Sequence, residues 1–361
     1  MLAGSTVEFL YPFNVDQVWK RFAAPFMTND TSADRRSPIT FFTVVPTVYN
    51  RMLQSHKTLT PETKTAIDHA LKPQHLRLNI SGSAALPTPT KQAWTDLSNG
   101  NVLLERYGMT EVGMALSCGL ACSDRVDGSV GWPLPSVQAR LVDLDTQQII
   151  PENEETDAQG RERAGEIQLK GPTVFREYWR NPSATASEFT SDSWFKTGDV
   201  AYRRTIPGAG KGDSGTWARG PMCFIQGRKS GDIIKTGGEK VSALEVEREI
   251  LALGQVSECA VVGLESETWG QKVAAVVVLS DEGRETSDGK SDGDIDGGGK
   301  GMGKGKKKSF GVLDLRRALK DVLVAYKIPQ EVRIVDAIPR NAMGKINKKA
   351  LVAQVFGAKR S

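Results

Sequence analysis

The chain has 361 residues, of which 39% are hydrophobic and 25% are charged, and its formal net charge is +4. This is the profile of a folded protein with two or three domains, which excludes a disordered or fibrous chain. So small an excess of positive charge predicts neither nucleic acid nor an anionic membrane as a partner. The longest apolar run, 273–279, is far shorter than the roughly 20 residues that span a bilayer, so no membrane span is predicted.

Cysteine and histidine are sparse. The 4 cysteines form no Cys-x-x-Cys pair and the 3 histidines are scattered, which argues against a disulfide framework, a metal centre and a histidine-based triad. The N-terminus shows no export signal. We therefore expect reduced thiols and an intracellular location, mitochondrial or cytoplasmic, which the sequence does not resolve further.

The first two hundred residues alternate strand-like apolar runs with amphipathic segments. The predicted elements are strands over 39–45, 76–80 and 102–104, a helix that starts at Thr60-Pro61-Glu62, and a helix over 88–97. Strand, helix, strand at this spacing predicts a parallel sheet with crossover helices. From Val137 onward, short strands broken by Gly and Pro, such as 165–169, predict a smaller antiparallel subdomain.

A second unit is predicted to follow residue 227. Ser242 and Glu245 have the spacing of a capping box and open a helix to about 253. Strands are predicted over 258–262 and 272–279. The apolar face of a last helix is predicted to consist of Leu313, Leu315, Leu319, Val322 and Leu323.

Two segments interrupt these patterns. Residues 281–309 are rich in glycine and charge and contain almost nothing apolar, so they cannot bury enough surface to offset ordering and are predicted to be a disordered insert. The shorter segment 207–221 is predicted to extend a hairpin.

The densest chemical signal is Glu-Arg-Tyr-Gly-Met-Thr-Glu at 105–111, directly after a predicted strand. It offers an aromatic ring, a hydroxyl and a carboxylate at the carboxyl end of that strand, where open α/β sheets bind ligands. Taken alone, the segment is equally compatible with a simple turn. One further motif, at 81–87, precedes this segment. Six more follow it along the chain, at 165–172, 194–199, 227–228, 234–238, 245–247 and 339–346.

In this order the motifs resemble those of the adenylate-forming acyl-CoA synthetases, over nearly the whole chain. The segments 105–111, 174–179 and 339–346 resemble the malonate–CoA ligase branch. The resemblance implies an α/β fold: part of the large AMP-binding domain over 1–227, with mixed sheets, helices and a small antiparallel subdomain, and a small α+β cap domain over 228–361. It also implies an acid–thiol ligase that uses ATP and Mg²⁺ to form an acyl-adenylate, which CoA then converts to a thioester.

The resemblance assigns roles in the first domain. Tyr107 stacks on adenine, with Gly108 beside it and Ser83, Ala84 and Ala85 along the edge of the ring. Thr110 binds the α-phosphate, and Glu111 holds Mg²⁺, which shields the phosphate charge from the incoming carboxylate.

It assigns further roles around the second domain. Asp199 accepts hydrogen bonds from the ribose hydroxyls and Arg228 donates near the ribose and phosphate, while Gly237 and Gly238 line the path of pantetheine. Lys345 is the expected catalytic cation, reaching both the carboxylate and the α-phosphate. The alternatives are a strand-end turn for Asp199 and, for Lys345, a solvated lysine in a basic segment with Lys348 and Lys349.

The acyl pocket is expected to contain Arg106 and Thr47. A buried guanidinium is unfavourable unless it is paired, and the distal carboxylate of malonate or a related short dicarboxylate would pair with Arg106 bidentately. The alternative is an internal ion pair of Arg106 with Glu105 or a neighbouring acid. Thr47 is expected to donate a hydrogen bond to the substrate.

Two features depart from the family pattern. The family's Ser/Thr/Gly-rich phosphate loop has no counterpart here, and the lookalike at 298–304 lies in the low-complexity insert. We therefore expect a chain that starts partway through the first domain, and keep a catalytically inactive fragment or a nucleotide- or CoA-binding module as the alternative function. Ser230 replaces the family's usual Asp or Lys at the hinge. Oligomeric state is not predicted.

Overall fold

The structure is a computed structural model that describes residues 4–27, 37–280, 283–284, 310–341 and 345–357. The predicted insert 281–309 lies outside the described residues except for 283 and 284. The chain forms two compact units: Met1–Thr197 with Ala201–Ile225, and Gly198–Val200 with Gln226–Ser361. Each unit is described by itself below.

The described residues form α-helices and β-strands with the following bounds. The α-helices are α1 (Val15–Ala23), α2 (Pro46–His56), α3 (Pro61–Leu71), α4 (Thr88–Leu97), α5 (Pro182–Glu188), α6 (Ala243–Leu251), α7 (Val312–Ala318) and α8 (Lys348–Val355). The strands are β1 (Phe41–Val44), β2 (Leu78–Ser81), β3 (Leu104–Met109), β4 (Gly113–Ser117), β5 (Ser129–Pro133), β6 (Gln138–Asp143), β7 (Ile149–Ile150), β8 (Gly165–Lys170), β9 (Phe195–Arg204), β10 (Met222–Arg228), β11 (Ile233–Thr236), β12 (Glu239–Ser242), β13 (Val256–Ser266), β14 (Gly270–Leu279) and β15 (Glu331–Ile334).

The first three strands form the predicted parallel sheet. β1 pairs with β2 and β2 with β3, and Val44, Ser81 and Glu105 are aligned across the three strands. Helix α4 covers 88–97 as predicted, and its Trp94 is fully buried in a cluster with Trp19 and Tyr49. The carboxyl ends of the three strands therefore lie at one edge of the sheet.

The strand that carries the 105–111 motif is longer than predicted. β3 runs through Met109, so the motif does not simply follow the strand but forms its second half. Up to Glu105 the strand pairs in parallel with β2, and from Arg106 onward it pairs antiparallel with β4. The prediction was wrong because no local pattern indicates β4, whose antiparallel pairing extends the strand.

The predicted antiparallel subdomain is confirmed. The sheet continues in the order β3-β4-β5-β10-β9-β8-β6-β7, and β6 pairs antiparallel with β8. Residues 207–221 connect the neighbouring strands β9 and β10 and contain an antiparallel bridge between Lys211 and Arg219, as expected for an extended hairpin.

Both predicted helix starts are confirmed. The Thr60 hydroxyl accepts a hydrogen bond from the Thr63 amide at the start of α3, and the Ser242 hydroxyl accepts one from the Glu245 amide at the start of α6. Such caps satisfy amides that the first turn leaves unpaired.

The predicted apolar face after 310 was partly wrong. Leu315, Leu319 and Leu323 are buried, whereas Leu313 is 71% and Val322 58% exposed. Of the three buried leucines, Leu315 lies in α7, Leu319 begins a 3-10 turn that follows it, and Leu323 lies after that turn. The predicted helix therefore ends earlier than expected, and its regular apolar face does not extend to Val322.

The second unit has a five-stranded sheet in the order β12-β11-β14-β13, with β15 against β14. The apolar run of β14 is buried from Val273 to Val278, which confirms the prediction of a buried strand. Among the described residues, no helix is long and apolar enough to cross a membrane.

Candidate functional site

The second half of β3 and the turn to β4 carry the first group of predicted residues. Tyr107 is half-buried and packs against the cluster that includes Leu116. Gly108 faces its partner strand so closely that a Cβ would collide with the carbonyl oxygen of Gly113, so a glycine is required there. Thr110 is exposed at the turn.

Glu111 is held by a residue to which the sequence analysis gave no role. The Tyr178 hydroxyl donates a 3.0 Å hydrogen bond to Oε1 of Glu111, and the Phe175 amide donates a 2.7 Å bond to the Glu111 carbonyl. Phe175 packs against Phe189 and Phe195, which anchors the 174–179 segment. The sequence signal that points to Tyr178 is the motif at 174–179, which resembles the malonate–CoA ligase branch.

Arg106 has no carboxylate within salt-bridge distance among the described residues. Its Nε donates a 3.2 Å hydrogen bond to the Ser117 hydroxyl. The guanidinium is half-buried, and this burial lowers its pKa below the usual value. Arg106 therefore bears a desolvation penalty that no described acid offsets.

The proposed internal partner of Arg106 is engaged elsewhere, so that alternative was wrong for Glu105. Lys91 Nζ lies 3.1 Å from Glu105 Oε1 and 3.1 Å from Asp127 Oδ1, and it donates to the Arg125 carbonyl at 2.8 Å. Burial alone would lower the pKa of Lys91, but the charges of Glu105 and Asp127 outweigh it and raise the pKa. The charge of Glu105 is thus compensated by Lys91 inside the fold and not by Arg106.

The loops after β1 and β2 lie at the same sheet edge as the 105–111 motif. Gly82 lies against the carbonyl of Arg106 at a Cβ distance of 3.4 Å, so the loop with Ser83, Ala84 and Ala85 passes beside β3. These three residues are exposed, and Ser83 has a φ of +67°. Thr47 is half-buried in the first turn of α2, directly after β1.

In the second unit, the structure brings Asp199 and Arg228 together. Arg228 Nε lies 2.9 Å from Asp199 Oδ1, with the Asp199 side chain only 10% exposed and Arg228 54% exposed. The Lys229 amide donates to the Gly198 carbonyl at 2.9 Å. The carboxylate is therefore oriented by an arginine that solvent or a ligand can reach.

Gly237 and Gly238 form the two-residue turn between β11 and β12. Their φ angles are +56° and +87°, which explains both glycines through turn geometry alone. At Gly237 a Cβ would also lie 2.9 Å from the ring of Trp269, whereas Gly238 faces open space. Both glycines are exposed.

Lys345 is exposed, and no described carboxylate lies within salt-bridge distance of its ammonium. Its backbone is fixed, because its amide donates to Asn341 Oδ1 and its carbonyl accepts from the Asn341 amide, both at 2.9 Å. Among the described residues, the lysine is therefore an unpaired cation on an anchored backbone.

Lys348, in contrast, is not a solvated member of a basic segment. Its Nζ lies 2.5 Å from Asp232 Oδ1 and 2.8 Å from Glu247 Oε1; these are charge contacts without a well-aligned hydrogen bond at Nζ. Burial raises the pKa of Glu247 despite the lysine beside it. Because the Arg228 amide donates to Asp232 Oδ2 at 2.9 Å, this triad ties the turn after Arg228 to α6 and α8.

We predict that Lys348→Met lowers the free energy of unfolding by about 3 kcal/mol, since it leaves two largely buried carboxylates without a cation. The measurement is urea denaturation followed by circular dichroism. Lys349→Met, at an exposed position of the same helix, is expected to change stability by less than about 0.5 kcal/mol. Adding Glu247→Gln should restore part of the loss; equal losses in the two lysine variants would contradict the account.

Comparison with known proteins places these residues in a family. The sequence model of the AMP-binding enzyme matches residues 20–179, and that of the AMP-binding enzyme C-terminal domain matches residues 245–295. The chain belongs to the AMP-binding enzymes. The family recognised from the sequence motifs is thereby confirmed.

Relatives of this chain include named ligases. It is 59% identical to a CoA ligase of Gibberella moniliformis, a match that covers 99% of this chain and 58% of that protein. It is 40% identical to the mitochondrial malonate–CoA ligase ACSF3 of Mus musculus, over 98% of this chain and 54% of that protein. It is 37% identical to the malonate–CoA ligase of Arabidopsis thaliana, over 97% of this chain and 50% of that protein. The chain thus spans about half the length of these relatives.

Solved structures confirm the fold class. ATP-bound MatB from Rhodopseudomonas palustris is 33% identical and superposes with a TM-score of 0.66, over 95% of this chain and 53% of that one. A second structure is that of the o-succinylbenzoate CoA synthetase MenE of Bacillus subtilis in complex with the acyl-adenylate OSB-AMP. It is 25% identical and superposes with a TM-score of 0.63, over 94% of this chain and 54% of that one. The mixed α/β architecture is that of adenylate-forming ligases.

Proposed function

We propose that this AMP-binding enzyme is part or all of an ATP-dependent acyl-CoA synthetase that converts malonate, or a related short dicarboxylate, to its CoA thioester. Support for the reaction comes from the two matched family domains and from relatives named CoA ligase and malonate–CoA ligase. The first step would join the acid to the α-phosphate of ATP with release of pyrophosphate. In the second, the thiol of CoA would attack the acyl carbon and release AMP.

The half-buried Arg106 is the observation that carries the choice of acid. A guanidinium that has lost water without gaining a protein carboxylate is unfavourable in the free protein. A substrate with a second carboxylate would supply the missing anion at the distal end, through the paired hydrogen bonds that arginine forms with carboxylates. Acetate and long-chain acids offer no such group.

Other predicted residues of the first unit would bind the nucleotide and the acid in the first step. Tyr107 would stack on adenine beside Gly108 and the loop of Ser83, Ala84 and Ala85, and Thr110 would donate to the α-phosphate. Thr47 would donate to the acid.

In the second unit, Asp199 and Arg228 would hold the ribose, and Lys345 would neutralise the charge that develops as two anions join. Gly237 and Gly238 would border the path of the CoA chain.

Glu111 suits a magnesium site. Within the described ranges, no cluster of three or more His, Cys, Asp or Glu residues could hold a metal by itself, but Mg²⁺ on a nucleotide is usually bound through one or two carboxylates and the phosphates. No described residue forms a hydrogen bond with Oε2 of Glu111, while Tyr178 fixes Oε1. When bound, Mg²⁺ would shield the phosphate charge; the protein's part is to hold the carboxylate in place.

We predict that Tyr178→Phe raises the Mg²⁺ concentration for half-maximal activity by about tenfold, because outer-sphere hydrogen bonds orient ligating carboxylates. Stability should change by no more than about 1 kcal/mol, the typical value of one hydrogen bond. The measurement is a Mg²⁺ titration of pyrophosphate exchange. Tyr11→Phe, at a position that is 94% exposed, is the matched control, and an unchanged Mg²⁺ requirement would contradict the role.

The proposed reaction is tested by ATP–pyrophosphate exchange with malonate, methylmalonate, acetate and octanoate. The assay is run on this chain and on a hybrid in which the part of the Gibberella ligase that the match does not cover is joined to it. Exchange that is strongest with malonate or methylmalonate supports the proposal. Preference for octanoate overturns the dicarboxylate assignment, and absence of exchange in both proteins favours the non-catalytic binding module.

A further inference from the structure

The 207–221 segment is a fixed wall rather than a loose loop. Fully buried Asp124 accepts a 3.0 Å hydrogen bond from the Gly210 amide and a 2.6 Å bond from the Ser214 hydroxyl. The Ser214 hydroxyl in turn accepts from the Ala121 amide at 2.9 Å. Farther along, the Trp132 indole donates to the Gly220 carbonyl at 3.1 Å. Four hydrogen bonds thus hold the segment against the rest of the first unit.

This wall closes one side of a cavity of about 350 Å³. The cavity contains none of the residues assigned to the nucleotide, the acid or CoA. Its lining combines the rings of Trp132 and Trp217 with the side chains of Arg203, Arg219 and Cys223. A volume of this size lies in the range of small-molecule sites, and the lining offers both apolar and polar surface.

Arg203 is the buried polar group of the cavity. Its side chain is only 9% exposed. Nη2 donates to the carbonyls of Ile150 and Pro151 at 2.9 and 2.7 Å, whereas Nε has no hydrogen-bond partner among the described residues. The nearest acid, Glu152, lies 3.8 Å from Nη1 with its own side chain 87% exposed. A nine-tenths buried guanidinium is therefore incompletely paired, which is unfavourable without a further acceptor.

The other polar groups leave the cavity positive. Arg219 is exposed and has no described carboxylate within salt-bridge distance, and burial raises the pKa of Cys223 to about 12, so the thiol adds no negative charge. Arg140 also lines the cavity, but its guanidinium is paired with Asp192 at 2.9 Å. Glu152 lines the cavity too, but its side chain is 87% exposed, so it offsets only one of the two cations, Arg203 and Arg219, and the cavity keeps a net positive charge.

We propose that this cavity binds a small organic anion with a flat apolar body, such as an aromatic carboxylate, at a second site separate from the acyl-CoA synthetase residues. The carboxylate pairs with Arg203 and Arg219, and the ring packs against the tryptophan walls. This inference does not depend on the proposed function, because it requires neither ATP nor CoA.

The test is binding of benzoate to the 361-residue chain by isothermal titration calorimetry, without nucleotide, with neutral benzamide as the matched ligand. We expect benzoate to bind and benzamide to bind at least tenfold more weakly. Arg219→Gln and Arg203→Lys should each weaken benzoate binding by roughly tenfold, since each removes charge-assisted hydrogen bonds. Arg204→Gln, at the next position of β9 and paired with Glu162, should leave binding unchanged.

Three results would overturn the proposal. They are absence of benzoate binding, equal binding of benzoate and benzamide, and loss of binding in Arg106→Met rather than in Arg219→Gln. The last result would place the anion in the acyl pocket. Because Arg219 is exposed, its substitution is not expected to disturb folding, which circular dichroism of each variant checks.

Discussion

Lys345→Ala is expected to slow formation of the acyl-adenylate by roughly 10²–10³-fold, the usual effect of removing one group that stabilises charge in a transition state. Thioester formation from supplied acyl-adenylate should be largely retained, because the adenylate already contains the bond that the lysine helps to form. The expectation rests on an exposed ammonium that carries no described ion pair and stands on a backbone fixed by Asn341. The two half-reactions are measured separately, by pyrophosphate exchange and by CoA-dependent release of AMP.

The matched control is Lys349→Ala. Lys349 is an exposed lysine in the same basic segment, so the two variants remove the same charge from neighbouring positions. Only Lys345→Ala should lose adenylation. Equal loss of both half-reactions in Lys345→Ala, or an equal effect of Lys349→Ala, would refute the catalytic assignment.

Arg106→Met is expected to lower kcat/KM for malonate by about 10²-fold and to leave the value for acetate within about threefold. The physical reason is the loss of charge-assisted, paired hydrogen bonds to the distal carboxylate, which acetate lacks. Stability should be unchanged or slightly raised, since methionine removes a half-buried guanidinium that no described acid compensates. Kinetics with both acids and a thermal melt provide the measurements.

Two further variants make this prediction specific. Arg106→Lys keeps the charge but not the planar fork, and it should fall between wild type and Arg106→Met with malonate. Arg77→Met, at an exposed position directly before β2, should leave kcat/KM unchanged for both acids. A parallel loss for malonate and acetate would show that Arg106 supports the fold of the site and does not select the acid.

Features with a local signal could be predicted from the sequence. Helix α4 over 88–97 and the caps at Thr60 and Ser242 follow from neighbouring residues, and the buried run of β14 follows from its composition. The parallel order of β1, β2 and β3 follows from their spacing. These features depend little on distant parts of the chain.

Features created by distant residues could not be predicted. The length of β3 depends on pairing with β4, and the anchoring of Glu111 depends on Tyr178, which is 67 residues away. Lys348 looks like a surface lysine in the sequence, but folding places it between Asp232 and Glu247. Single-sequence patterns carry no information about which acids will surround a given lysine.

The most direct test of the account is a single-turnover reaction with Mg²⁺ and ATP labelled at the α-phosphate, with malonate or with acetate as the acid, first without CoA and then with it. It is run on the chain and on the hybrid with the Gibberella ligase. The account predicts that malonyl-adenylate accumulates without CoA and is converted to AMP and malonyl-CoA when CoA is added. Production of ADP in place of AMP, or adenylate formation from acetate but not malonate, would contradict it.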